Sequence, residues 1–272
     1  MSYYILTGTN GLVGSQLKKE VEKNDIVKPI TKKWIDSFTD QDELKNSLDL
    51  LVKESMGVYH NGGISDTSNF SADVMYYNYY ITKLFIDSCW RWNKKLVFAS
   101  SQMVVGRKEI GYPENIYSWS KLVCEDYGLL KAGKFIALRY NYIYGPGEEH
   151  KGKTSSLAYQ AWINKKIDLW DAKRNFIYVK DVVTANIFAM NEVDVFGVYW
   201  VGADKHEKAS DFVRGMGEDI DIKIKKEDPP AWFQWETLND SKNLMPGWKP
   251  NYDIKSGTED YVKYFIRSCY DY

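Results

Sequence analysis

The chain has 272 residues, room for one large α/β core and a smaller lobe, and its 36 Lys and Arg against 37 Asp and Glu leave a formal net charge of -1. That balance excludes a global field that would draw nucleic acid or an anionic membrane, so any anionic ligand has to be held locally. Cys89, Cys124 and Cys269 are odd in number and widely spaced, which reads as reduced core filler rather than a disulfide framework or zinc site, and no apolar run approaches the ~18 residues that span a bilayer.

The opening MSYYILTG reaches a glycine turn too early to leave room for a secretory leader, which points to a cytoplasmic protein. From there to about residue 144, short apolar runs alternate with stretches of helical periodicity, the pattern of βαβ units on a parallel sheet. Strands are predicted near 3–7, 26–30, 33–36, 56–60, 95–100 and 134–139, with helices near 12–23, 40–53, 72–91 and 115–131. Beyond Gly145-Pro146-Gly147 come a polar, Lys-rich loop, a helix from about 155, an apolar run at 175–179, a helix at 181–190 and a run at 198–201 that returns to the sheet. Turns at Pro229-Pro230 and Pro246-Gly247 and a helix near 255–268 close a small lobe. The expected architecture is a Rossmann-type, doubly wound parallel sheet over 1–146, rejoined by 176–201, with a small α/β substrate lobe from 147–175 and 202–272. The 21 Tyr and 10 Trp fit core packing better than a stacking surface for bases or sugars.

Gly8-Thr9-Asn10-Gly11-Leu12-Val13-Gly14 follows a β-rich run and opens a helical pattern, the context in which a glycine motif cradles a pyrophosphate. Gly8 permits the tight exit from the strand, Gly11 lets backbone amides approach phosphate, and Gly14 lets the helix pack against the sheet. Asn10, Leu12 and Val13 complete the candidate dinucleotide contacts at the positive end of that helix. An NAD site usually carries an acidic residue at the end of the second strand; here Ile30 is followed by Thr31-Lys32-Lys33, whose cations suit the 2′-phosphate of NADP. NADP is therefore favoured, with NAD as the alternative, and Asp36 is a weaker candidate for the adenine amine.

Tyr117 and Lys121 stand four residues apart, on one face of a predicted helix. A tyrosine acting as acid/base near neutrality has to fall about three units from its reference of ~10, and a cation ~4 Å away supplies an effect of that order. Ser101, just past the strand ending at Ser100, is placed to donate a hydrogen bond to the reacting oxygen.

These segments, TGTNGLVG, VFASSQMVVG, YSWSK, LRYNYIYGP, FIYVKDV and DSKNLMPGWKP, occur in an order that resembles the extended short-chain dehydrogenase/reductases along nearly the whole chain. The resemblance implies hydride transfer between a nicotinamide and a sugar carbon, with Tyr117 as acid/base, Lys121 holding Tyr117 and the nicotinamide ribose, and Ser101 assisting. His60-Asn61-Gly62-Gly63-Ile64-Ser65-Asp66-Thr67, Asn78 and the run from Gly145 to Gly152 are similar to ADP-glycero-manno-heptose 6-epimerases. That likeness implies Lys151 as a second acid/base on the opposite face of the sugar carbon, and Gly62, Gly63 and Asn78 as cofactor contacts. It also places Ser65, Ser101, Asn141, Tyr142, His150, Arg174, Phe233 and Gln234 toward a nucleotide-diphosphate sugar, the arginine through its bidentate fork. The chain departs from that family at Tyr142, where an asparagine is usual and Asn141 falls one place early, at Gln160 for a histidine, at Lys153 for a small residue, and in a shortened 170–174 loop. Its very short connection between the second and third predicted strands is closer to GDP-fucose synthases. Three readings stand: a nucleotide-sugar epimerase, an NADPH-consuming keto-sugar epimerase-reductase, and a cofactor-binding regulator without turnover. Helices 72–91 and 115–131 form the dimer bundle in many relatives, so self-association is expected.

Overall fold

The computed structural model describes residues 2–106, 111–131, 133–148, 157–192, 196–229 and 243–270. Its first half alternates β1 (Tyr4–Thr7), α1 (Leu12–Val21), β2 (Val27–Ile30), a one-turn α2 (Lys32–Ile35), α3 (Gln41–Glu54) and β3 (Gly57–His60). A long helical segment follows, in which α4 (Ala72–Met75) and α5 (Ile81–Arg91) are joined through a π-helical turn at Tyr76–Tyr80. Next come β4 (Lys95–Ser101), α6 (Ile116–Leu130) and β5 (Phe135–Tyr140). The second half runs β6 (Tyr142–Tyr144), α7 (Leu157–Asn164), β7 (Lys166–Leu169), β8 (Lys173–Arg174), β9 (Phe176–Tyr178), α8 (Val179–Asn191) and β10 (Gly197–Val201). It ends with β11 (Glu207–Lys208), α9 (Ala209–Met216), β12 (Asp221–Ile224) and α10 (Ile254–Tyr270).

Six strands form one parallel sheet in the order β10-β5-β4-β3-β1-β2. Its central strands are buried on both faces, as β3 and the Leu96–Ser101 part of β4 show, so they read as continuous apolar runs. One face is covered by α1 and α8 through Val13, Leu17, Val21, Val182 and Ala185. The other face is covered by α3, α5 and α6 through Leu44, Leu48, Val52, Phe85 and Cys124. In α3 the buried residues recur every four positions, Asp40 caps the helix by accepting from the amides of Asp42 (2.7 Å) and Glu43 (3.2 Å), and Asp42 and Glu43 favour its positive end. A third core, rich in aromatic rings, joins α7, α9 and α10, with Phe176 stacked on Phe212 at 4.1 Å and Tyr261 on Phe265 at 4.4 Å. This core takes up part of the aromatic content.

Residues 33–36 correct the sequence reading: they lie in α2 and its C-cap, not in a strand. Thr31 accepts from the Trp34 amide at 3.2 Å and so caps the turn, Lys32 reaches Asp36 one turn on at 2.5 Å, and only Ile35 is buried. The β-prone Trp-Ile pair is thus overridden by a cap and an ion pair, and β2 is the sheet's last strand.

One buried ion pair links the sheet to α6. Glu125, 1% exposed, receives Arg139 of β5 at 2.6 Å and the Ser100 hydroxyl of β4 at 2.5 Å, while the guanidinium lies over Trp200 at 5.6 Å. Removing one partner of such a pair strands a buried charge. Arg139→Met is expected to lower the unfolding free energy by about 3–5 kcal/mol in a urea titration; a change under about 1 kcal/mol would contradict this account.

Candidate active site

The chain enters the sheet at β1, runs outward to β2 and then crosses to β3 on the other side, so a crevice opens beyond the carboxyl ends of β1 and β3. It widens into a cleft of about 620 Å³. Gly8 leaves β1 at φ +72°. A Cβ on Gly14 would lie 2.1 Å from the Gly8 carbonyl oxygen, and one on Gly8 would lie 2.6 Å from that of Asn61. Glycine is therefore required at both positions by backbone contact. The Gly11 amide closes the turn onto the Gly8 carbonyl at 2.9 Å, and α1 begins with no side-chain cap, so its next amides face the cleft. This arrangement fits a dinucleotide pyrophosphate: an uncapped helix start, backbone donors and no side chain in the way.

Thr31, Lys32 and Tyr77 form the far end of the cleft. Lys32 bonds the Tyr77 hydroxyl at 2.7 Å and Asp36 at 2.5 Å, and Tyr77 donates to the other Asp36 oxygen at 2.5 Å. These bonds hold the Asp36 carboxyl below its usual range. Lys32 thus faces the cleft already partnered, whereas Asp36 stands behind it and Lys33 is exposed away from it.

Along the middle of the cleft lie Asn61, Gly62, Gly63, Ile64 and Ser65. Asn78 does not line it; wholly buried, it receives the Ile64 amide at 2.7 Å and donates to the Ile64 carbonyl at 2.9 Å and to Ser120 at 3.0 Å. Asn78 is a brace behind the loop rather than part of its surface.

The opposite wall carries Tyr117 and Lys121. Asn115 caps α6 in a reciprocal box with Ser118, whose amide donates to Asn115 Oδ1 at 2.8 Å, which fixes the helix start two residues before Tyr117. Ser101 accepts from the Met103 amide at 3.2 Å, which leaves its hydroxyl proton for the hydrogen bond it shares with Tyr117. Lys121 is 5% exposed, donates to the Ala99 carbonyl at 2.8 Å, and lies 6.0 Å from the Tyr117 ring centre. Burial pulls its ammonium down to about 8. Burial also raises the Tyr117 phenol above its ordinary value, with the Ser101 bond opposing. The simple expectation that Lys121 brings the phenol toward neutrality is not met by these residues alone, because the ammonium is committed to Ala99 rather than to the phenol oxygen.

Asn141, Tyr142 and Glu148 form the remaining end. Asn141 is buried with its Nδ2 on the Val201 carbonyl at 3.4 Å, and its Oδ1 has no partner among the described residues. Burial pushes the Tyr142 phenol up to about 12, with the Glu148 charge adding and that of Arg174 opposing; Arg174 itself does not line the cleft. Glu148, 6% exposed, is tied to α10 by the Tyr261 hydroxyl at 3.1 Å. Lys151, His150, Phe233 and Gln234, together with Lys153, lie outside the described residues. Sequence reasoning missed Tyr77, His60 and Glu148 as cleft residues, although the last two stand inside motifs it quoted. No group of His, Cys, Asp or Glu among the described residues could hold a metal ion, and no described helix is long and apolar enough to cross a membrane.

A lysine whose folded-state value lies below its unfolded value opposes folding while both states are charged. That opposition is relieved as pH rises from about 8, where the folded state releases its proton, toward 10.5. Lys121→Met is expected to stabilise the protein at pH 7 by about 1–3 kcal/mol, less the bond lost at Ala99, with the gain shrinking toward pH 10. Thermal or urea unfolding across pH checks this, and a destabilised variant at pH 7 would contradict it.

Three kinds of comparison agree with this geometry. The family model described as NAD dependent epimerase/dehydratase matches residues 4–202. The ADP-L-glycero-D-manno-heptose-6-epimerase of Brachyspira hyodysenteriae is 26% identical over 97% of this chain and 98% of its own length. The crystal structure of the Helicobacter pylori ADP-L-glycero-D-manno-heptose-6-epimerase superposes with a TM-score of 0.80 at 24% identity, covering 97% of this chain and 96% of that one. A UDP-N-acetylglucosamine 4-epimerase from Methanobrevibacter ruminantium, solved with UDP-N-acetylmuramic acid, gives 0.83 at 21% identity, covering 98% and 99%. With nearly three quarters of its length under that model and its cleft at the sheet's switch point, the chain belongs to the NAD dependent epimerase/dehydratase family, among the extended short-chain dehydrogenase/reductases.

Proposed function

We propose that this protein is an epimerase of a nucleotide-diphosphate sugar, with ADP-glycero-manno-heptose as the leading substrate, working through transient oxidation of one sugar carbon. The observation that carries this reading is the convergence of Ser101, Tyr117 and Lys121 on one wall of the cleft that begins at the glycine turn. A bound oxidised nicotinamide supplies a hydride acceptor and a positive charge in such a site. Tyr117 takes the proton of the sugar hydroxyl and Ser101 donates to the same oxygen, while Lys121, held on the Ala99 carbonyl 6.0 Å from the Tyr117 ring centre, places a positive charge beside them. Inversion would require the hydride to come back to the opposite face of the planar carbonyl, where Lys151, the second acid/base, would give its proton to the sugar oxygen. The residues 147–175 and 202–272 hold the sugar beside Tyr142, with His150, Phe233 and Gln234 toward it and Arg174 acting through its charge near Tyr142. The keto-sugar reductase reading drew on a short connection to a third strand at 33–36, and that segment is helical, so its distinguishing support falls away.

The test uses purified protein with NADP or NAD and ADP-glycero-manno-heptose, followed by nuclear magnetic resonance. Epimer conversion is expected without net cofactor consumption and without solvent deuterium at the inverted carbon; one cofactor consumed per sugar would replace this reading with a reductase. Tyr117→Phe is expected to lower kcat by about 10²–10⁴, and Lys151→Met to abolish epimerisation while dinucleotide binding persists. Normal epimerisation in either variant would remove that residue from the mechanism.

For the cofactor, Lys32 at the far end of the cleft favours NADP, through a charge-assisted bond to the 2′-phosphate. Lys32→Ala is expected to weaken NADP binding about tenfold or more relative to NAD, and Asp36→Asn, which frees Lys32, to move the ratio the other way. An unchanged ratio of the two affinities in both variants would exclude Lys32 as the discriminator.

A further inference from the structure

Beneath the cleft runs a chain of hydrogen bonds that the chemistry above does not use. His60, the last residue of β3, is 2% exposed, with Phe85 and Phe98 at 4.8 and 5.9 Å from its ring centre. Its Nδ1 is 2.8 Å from Thr7 Oγ1 and its Nε2 is 2.8 Å from Thr82 Oγ1. The flanking bonds fix the proton positions. Thr82 gives its hydroxyl proton to the Asn78 carbonyl at 2.6 Å, so it can only accept from His60, and Nε2 carries the proton. A ring kept neutral by burial and by the nearby Lys121 charge then leaves Nδ1 as an acceptor, and Thr7 donates to it. Thr7 in turn accepts the Gly62 amide at 2.7 Å.

We propose that Thr7, His60 and Thr82 form one positioning device, a one-way relay that ties the Gly62 amide in the cleft to the Asn78 carbonyl in the π turn and so sets the backbone on which the dinucleotide rests. It rests on the reading of the cleft as the dinucleotide site. Gly62 and Gly63 have no side chains with which to hold themselves. Ile64, two residues on, is clamped directly by the Asn78 side chain, so both ends of the loop are referred to the same residue. The loop has little slack: a Cβ on Gly62 would lie 2.8 Å from Thr7 Oγ1, and one on Gly63 would lie 2.9 Å from Asn78 Oδ1 and 3.6 Å from Lys121 Nζ. Gly62 is thus packed closely on Thr7 and Gly8, and Gly63 on Asn78.

Two measurements decide it. In the ¹⁵N-labelled protein, with the His60 resonances assigned by their absence in His60→Phe, Nε2 is expected to carry the proton and Nδ1 to be bare; a protonated Nδ1 at pH 7 overturns the relay. In parallel, NADP and NAD affinities are read by fluorescence titration. Thr7→Val and His60→Phe are expected to bind about tenfold more weakly, with faster exchange at the Gly62 amide but not along β1 and β3, and Thr7→Ser to bind within about twofold of wild type. Wild-type affinity in Thr7→Val overturns the proposal, as does exchange that rises uniformly through the sheet. A wild-type protein that binds neither dinucleotide overturns the reading of the cleft instead, whatever the His60 tautomer.

Discussion

The structure depends on backbone meeting backbone where β1 and β3 end. Gly8, Gly14 and the Asn61–Gly62 peptide approach so closely that a single added Cβ would collide with a carbonyl. Everything nearby inherits that closeness. The start of α1 can face the cleft because Gly14 lets the helix sit on the strand exit, and the loop after β3 can form the cleft floor because Gly8 leaves room beside Asn61. A phosphate seat of this kind is made of amides, so its specificity is for charge and shape, and it leaves side-chain chemistry to the opposite wall.

That opposite wall is expensive to build. Lys121 is a buried cation with one carbonyl partner and Tyr117 a phenol raised by burial, and neither arrangement favours the folded state on its own. The fold surrounds them with compensation: the Asn115–Ser118 box at the helix start, the Arg139–Glu125–Ser100 cluster one helical turn beyond Lys121, and the aromatic layers behind the sheet. The site is strained in its ionisation rather than in its backbone, so a change of charge nearby alters function and stability in opposite directions.

Legibility in the sequence followed the range of each interaction. The glycine turn and the Tyr117/Lys121 pair are local patterns with fixed spacing, and the helices at 40–53, 72–91 and 115–131 follow from periodicity; all stand where the residues predicted them. The segment 33–36 failed because a capping threonine and a lysine–aspartate pair outweighed β propensity in a stretch too short for periodicity to decide. Contacts between distant segments had no local signal. Tyr77 meets Asp36 across 41 positions, His60 meets Thr7 across 53, and Tyr261 meets Glu148 across 113. Asn78 illustrates the middle case: a motif picked it out, yet only the packing shows that it braces the cleft loop from behind.

The π turn at Tyr76–Tyr80 has a bearing on how this chain can vary. One residue more than an α-helix needs is stored there, and it puts α4 and α5 out of phase with each other by about 100°. Losing that residue would leave a smoother and intrinsically better helix, while turning Asn78 away from Ile64 and shifting every position of α4 around its axis. An insertion or deletion in this stretch would thus act through phase rather than through length. Substitutions on the outer face of the helix leave its phase intact, whereas a change in the count of residues between its two halves does not.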